Sequence, residues 1–85
     1  QEGQRFSETR MRRVFKDNVQ SCDFSENIVV VRTTPGAAGT VASALDASAW
    51  SEVIGTIAGD DHIFVLIRPK EAAADIVARI QKLMH

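Results

Sequence analysis

The sequence predicts an α+β domain: a two-layer ββαββα fold with a four-stranded, mostly antiparallel sheet and both helices on one face. Three observations predict it. The 85 residues allow one small domain. Two pairs of apolar runs are each joined by a short polar turn, which is typical of hairpins. Each pair is followed by a segment whose apolar residues recur at helical spacing.

The first hairpin and helix account for the first half of the domain. We predict a strand over about 15–24, a turn at Ser25-Glu26-Asn27 and a second strand over 28–32. Thr34-Pro35-Gly36 ends this strand. A helix then follows from the helical spacing of its apolar residues, which are Ala38, Val41, Ala42, Leu45 and Ala49.

The second half repeats the pattern. Residues 53–58 and 63–67 read as strands joined by the turn Gly59-Asp60-Asp61-His62, and Pro69 ends the hairpin. Residues 71–84 predict an amphipathic helix with acidic residues early and Lys82 late. Its apolar face consists of Ile76, Val77, Ile80, Leu83 and Met84.

Both sides of the central strands are apolar, which is unusual for an antiparallel sheet with one face in water. Val29, Val31, Ile63, Val65 and Ile67 alternate to one side, and Ile28, Val30, Phe64 and Leu66 to the other. An oversupply of β-branched residues would explain this pattern. We favour self-association through the uncovered face, because a large exposed apolar patch usually marks an interface.

The net charge of -1 conceals an uneven distribution along the chain. Residues 1–16 hold five basic and two acidic groups, whereas residues 33–67 hold four acidic groups and no Lys or Arg. Residues 1–13 are polar and read as a linker or the remnant of a longer protein, which leaves the domain at 14–85. A helical turn around Glu8–Val14 is also compatible with this segment. The acidic segment is either ordinary solvated surface or a place where a ligand or a neighbouring chain supplies the cation.

Several classes of protein are disfavoured. A near-zero charge argues against a free-standing nucleic-acid binder, and no apolar run of about 18 residues predicts a membrane span. The single cysteine, Cys22, excludes an internal disulfide and fits a reducing compartment, so we expect a cytoplasmic protein. No nucleophile–base pattern or phosphate-binding loop indicates an enzyme. His62, without a second His or Cys at ligand spacing, is a weak indication of a metal site or an acid–base catalyst.

Asp60-Asp61 is the sharpest local feature. Turn preference explains one aspartate readily and two less well. Adjacent carboxylates repel each other unless a cation lies beside them, and the planar fork of a guanidinium fits a carboxylate best. Asp46 follows Gly39 by seven residues and therefore lies on almost the same helix face. It is either a surface carboxylate or, if it faces the turn, a third member of the cluster.

Two motifs carry a family resemblance. The stretch Gly55-Thr56-Ile57-Ala58-Gly59-Asp60-Asp61 follows Pro35-Gly36-Ala37-Ala38 and a helix ending near Asp46. With these motifs, residues 14–85 resemble the C-terminal domain of bacterial arginine repressors. The resemblance implies the ββαββα fold, trimers that pair into hexamers, and L-arginine bound at the trimer–trimer junction. It also implies that a separate N-terminal winged helix-turn-helix, absent from these residues, binds the operator DNA.

The resemblance also implies which residues bind the effector. Asp60 and Asp61 match the family's two effector-binding aspartates, Asp46 its helix aspartate, and Thr56 and the Ala58 backbone the pocket wall. Two positions depart from the family pattern: Gly39 replaces a hydrogen-bonding side chain, often Gln, and His62 replaces a common Thr. We therefore expect a domain that binds L-arginine as an effector, with no cofactor, and favours the hexamer. The alternative is a structural oligomerisation module that no longer senses arginine.

Overall fold

The computed structural model describes residues 8–85, which form a four-stranded antiparallel sheet and three helices. The helices are α1 (Glu8–Asn18), α2 (Ala38–Ser48) and α3 (Ala73–Met84), and a 3₁₀ turn, Lys70–Ala72, precedes α3. The strands are β1 (Val19–Ser25), β2 (Ile28–Thr33), β3 (Val53–Ala58) and β4 (His62–Ile67). The strand order is β1-β2-β4-β3, with every neighbouring pair antiparallel. The predicted ββαββα order and α+β class are confirmed, with α1 added in front.

Helix α1 is the main correction to the sequence prediction. The first strand begins at Val19 and not near residue 15, and residues 8–13, predicted as linker, lie in α1. Residues 1–7 of the predicted linker lie outside the described residues. Met11 and Phe15, four residues apart, share one face of α1 and are 6% and 0% exposed. The helix therefore packs into the core through a short apolar stripe. This stripe was not recognised in the sequence because arginines surround it.

The core lies between one sheet face and the helices. On the central strands, Val29, Val31, Ile63 and Val65 are fully buried and alternate with exposed or half-buried residues. The helical residues that cover them are also fully buried or nearly so: Phe15, Val41, Leu45, Ile76 and Ile80. This side of the sheet explains one of the two apolar alternations in the sequence.

The other alternation lies on the opposite, uncovered face. In the strand register Ile28 pairs with Leu66, and Phe64 pairs with both Val30 and Ile57, so these side chains share one side of the sheet. We call this set, together with Ile54, the open face. Ile57 is 76% exposed and Phe64 55%. With Ile28, Ile54 and Leu66 they line a shallow concavity of about 250 Å³.

The two ends of α2 determine where the candidate site residues on this helix lie. The helix begins at Ala38 and not at Pro35, because Gly36 turns the chain with a φ of +83° before it. It ends where Ala49 adopts the left-handed conformation and its amide donates to the Asp46 carbonyl. Within residues 8–85, no helix has the length and apolar character needed to cross a membrane.

Candidate ligand-binding site

The Asp60-Asp61 turn is fixed by its backbone against the start of α2. The Asp60 carbonyl accepts hydrogen bonds from the amides of Gly36 and Ala38, both at 3.2 Å, and the Asp61 carbonyl accepts one from Thr33 at 2.8 Å. Because the main chain makes these contacts, the carboxylates are not needed to hold the turn in place. Asp60 is exposed and Asp61 is half-buried.

His62 closes the same turn and contacts Asp61. Its carbonyl accepts a 2.7 Å hydrogen bond from the Gly59 amide. Its Nδ1 lies 2.8 Å from Asp61 Oδ1. Hydrogen bonding by the imidazole is the main cause that lowers the pKa of the Asp61 carboxyl below its ordinary value of 3.8. The sequence identified His62 as a departure from the family pattern, but not as the partner of Asp61.

Asp46 has a different partner. The Thr56 hydroxyl on β3 donates a 3.0 Å hydrogen bond to Asp46 Oδ1 on α2, near the surface. This bond fixes one carboxylate oxygen of Asp46 over the middle of β3, and the exposed position of Asp46 leaves the carboxylate accessible. Thr56 and Asp46 therefore form one small polar unit.

The two groups of carboxylates lie towards opposite ends of α2. Asp60 contacts the first residue of the helix, Ala38, whereas Asp46 lies eight residues further along. Eight residues of α-helix correspond to a rise of about 12 Å. No hydrogen bond within residues 8–85 joins Asp46 to the turn, and a cluster of Asp46 with Asp60 and Asp61 stays a prediction.

Gly39 and Ala58 lie on the exposed surface between these groups. Ala58 is the last residue of β3 and pairs with Ile63. Gly39 lies in the first turn of α2, and a Cβ placed there would meet no atom within 4 Å. The glycine is therefore not required by a close approach of the backbone, and the surface has room for a longer side chain.

Some carboxylates of the acidic segment 33–67 have partners that the composition of the segment does not show. Glu52 pairs with Arg79 of α3, with Nη2 to Oε2 at 3.1 Å and Nη1 to Oε1 at 3.4 Å. The pKa of Glu52 is lowered, first by its backbone hydrogen bond and also by Arg79. Asp61 has His62, whereas Asp46 and Asp60 form no ion pair within residues 8–85. Within residues 33–67, the carboxylates without an ion pair thus lie on α2 and in the β3–β4 turn.

Three other possibilities are a reactive cysteine, a metal site and a second concavity. Burial, followed by the charge of Asp23, raises the pKa of the half-buried Cys22 thiol, which makes it a poor nucleophile. In the part of the chain that the structure describes, no three His, Cys, Asp or Glu side chains are grouped to hold a metal ion. A concavity of about 550 Å³ between α1, the end of α2 and α3 contains none of the predicted site residues.

The fold defines the class of the protein: a small α+β domain with exposed carboxylates on α2 and in the β3–β4 turn. Residues 15–82 match the family described as the arginine repressor, C-terminal domain, and the chain belongs to this family. It is 50% identical over 76 residues to the arginine repressor of Pelotomaculum thermopropionicum and 51% identical over 74 residues to that of Moorella thermoacetica.

These matches cover 89% and 87% of the chain but only 50% and 49% of the two relatives. The arginine repressor of Syntrophomonas wolfei is 48% identical over 75 residues, with 88% and 49% covered. The chain thus spans about half the length of the curated relatives it matches. The family resemblance seen in the sequence is confirmed.

Proposed function

We propose that this domain binds L-arginine through Asp46, Asp60 and Asp61, and that the ligand joins two trimers into a hexamer. In the longer protein, this assembly would control DNA binding by a module outside these residues. The relatives are named as repressors and not as enzymes, which agrees with a regulatory role. Their shared name also makes arginine the first ligand to test.

The observation that carries this proposal is the exposed carboxylate surface along α2. Asp46 and Asp60 have no cationic partner within residues 8–85, and the backbone contacts of the turn hold Asp60 and Asp61 side by side. Carboxylates on adjacent residues favour a bound cation, and arginine offers both a guanidinium and an ammonium. Thr56 orients Asp46 in the same region.

A site shared between chains fits the exposure of these carboxylates. Asp46 and Asp60 are both exposed on a single protomer, so a neighbouring protomer can bring its own carboxylates to the same surface. Ligand binding then depends on assembly.

The open face supports self-association within a trimer. Ile57, Phe64 and Leu66 are exposed side by side on the sheet face that none of the described helices covers. Apolar patches of this kind are costly in water and are normally covered by a partner. A second copy of the chain is the partner that closed symmetric assembly would supply.

Linkage explains how a small ligand would control assembly. Carboxylates that face each other across a trimer–trimer junction repel, so the unliganded hexamer is weakened. A ligand that binds the hexamer more tightly than separate trimers must favour the hexamer to the same degree. A hexamer that carries several DNA-binding modules would then gain operator affinity through effective concentration.

Sedimentation velocity with and without L-arginine, together with calorimetric titration, tests the proposal. We expect an arginine-dependent shift from trimer towards hexamer. Asp60→Asn should weaken binding about tenfold to a hundredfold, since hydrogen bonds to charged groups contribute about 1.5–3 kcal/mol. Asp17→Asn is the matched control, because Asp17 is an exposed carboxylate on α1, outside the proposed site. No heat at millimolar arginine, or equal binding by both variants, contradicts arginine sensing.

Gly39 favours a second candidate, a structural oligomerisation module that does not sense arginine. The position has open space and no side chain to contact a ligand. Under this alternative, sedimentation gives the same oligomer with and without arginine. An arginine-dependent change in assembly rules it out.

A further inference from the structure

The Asp61 carboxylate already has a side-chain partner within the chain, the neighbouring His62. His62 Nδ1 lies 2.8 Å from Asp61 Oδ1, and the two side chains are 46% and 45% exposed. A hydrogen bond of this length to a carboxylate is strongest when the imidazole is protonated. Any cationic ligand that uses this carboxylate oxygen must therefore displace the His62 contact or share it.

We propose that His62 is an affinity-determining residue that competes with the ligand cation for Asp61, so that arginine binds more tightly when the imidazole is neutral. The inference rests on the proposed function, because it concerns the carboxylate at which arginine is expected. It makes arginine affinity dependent on the charge of the His62 side chain. It also gives a role to a residue that touches the site without contributing a negative charge.

The charged groups around His62 determine the direction of this effect. Asp60 and Asp61 precede it in the turn, and Arg32 on β2 is its partner in the strand register. The residues facing it from the end of β3, Ala58 and Gly59, are uncharged. When His62 is protonated, Asp61 thus has two cations nearby, His62 and Arg32. When the proton leaves, the local charge becomes more negative by one unit and the attraction for an arginine cation increases.

The size of the effect follows from the exposure of the pair. Exposed ion pairs change an equilibrium by about two- to fivefold. The inference concerns one change of charge, the protonation of the imidazole, so the affinity is compared at an acidic and an alkaline pH. We therefore expect the association constant for L-arginine to rise about two- to fivefold between pH 5.5 and pH 8.0.

Isothermal titration of the 85-residue chain with L-arginine at pH 5.5 and pH 8.0 measures this rise. His62→Asn keeps a neutral hydrogen-bond donor near the position of Nδ1 and removes the titrating charge. His85→Ala is the matched control, because His85 is the other histidine of the chain and is exposed at the end of α3. At pH 6.5, titrations in two buffers of different ionisation enthalpy report proton release on binding.

For the wild type and His85→Ala, we expect an affinity that rises with pH and the release of part of one proton per site. His62→Asn should bind at pH 5.5 with an affinity close to its own value at pH 8.0, and without proton release. If arginine binds but His62→Asn keeps the wild-type pH dependence, the role of His62 is refuted and the proposed function stands. If the wild type binds no arginine at either pH, the proposed function fails instead, together with the inference that rests on it.

Discussion

Truncation of Met11 or Phe15 to alanine is expected to destabilise the domain strongly, although the sequence places Met11 in a predicted linker. Both side chains belong to the core of the described chain, with Phe15 fully buried and Met11 6% exposed. Arg12 strengthens the docking of α1, since its Nη1 donates to the Lys82 carbonyl of α3 at 3.5 Å. We therefore compare Met11→Ala and Phe15→Ala with the exposed control Arg13→Ala. If α1 is a core helix, the first two variants are destabilised and the control is not. If it is a linker, none of the three is destabilised.

The expected magnitudes follow from the burial of each residue. Core Met→Ala substitutions cost about 2–5 kcal/mol and Phe→Ala about 3–5 kcal/mol, because the lost apolar contacts leave a cavity. A domain of this length has a free energy of unfolding of about 4–13 kcal/mol. Either substitution thus removes a large part of it. Arg13→Ala should stay within about 0.5 kcal/mol of the wild type, as exposed substitutions usually do.

Urea denaturation followed by circular dichroism measures these changes. All variants must be compared at one protomer concentration, because assembly adds to apparent stability. Met11→Ala is the primary measurement if Phe15→Ala does not fold. A change below about 0.5 kcal/mol for Met11→Ala, equal to that of Arg13→Ala, would show that α1 is not part of the folded domain.

Four further predictions concern the site and the open face. Gly39→Gln should raise arginine affinity about two- to tenfold in a calorimetric titration, because a hydrogen bond contributes about 0.5–1.5 kcal/mol and the position has room; unchanged affinity would show that position 39 does not reach the ligand. Thr56→Val should weaken arginine binding a fewfold by releasing Asp46, with the free energy of unfolding within about 1 kcal/mol of the wild type. The lowered pKa of Asp61 adds stability that is complete above its ordinary pKa of 3.8 and is lost as pH falls through the lowered value. Acid titration monitored by circular dichroism should accordingly show a smaller loss of stability below that pH for Asp61→Asn than for the wild type; an equal loss would mean that the contact with His62 does not stabilise the fold. Ile57→Lys should dissociate the trimer in sedimentation velocity, since it places a charge on a side chain that is 76% exposed on the open face; an unchanged trimer would place the interface elsewhere.

Much of the fold follows from local patterns. Residues 28–32 and 63–67 form strands as predicted, and the helix over 38–49 ends one residue early, at Ser48. These segments were predictable because alternation and helical spacing are properties of neighbouring residues. The first strand was placed too early because the apolar pair in α1 is short and lies among arginines.

The sequence likewise predicted only some of the features of the candidate site. Asp60 and Asp61 were recognisable because they are adjacent in a turn motif, and the family motif pointed to Thr56 and Asp46. The sequence did not indicate that Arg79 neutralises Glu52, a contact between residues 27 positions apart. Nor did it indicate that His62 contacts Asp61, although the two are neighbours, because side-chain pairing in a turn depends on the backbone geometry.

By itself, then, the sequence determined the family, the order of the two hairpins and their helices, and the acidic character of the central segment. The tertiary structure decided that α1 belongs to the core, that Asp46 pairs with Thr56, and which carboxylates keep an unpaired charge. The physical reason is that propensity and periodicity act between near neighbours, whereas ion pairs and burial depend on distances set by the packing of the whole chain.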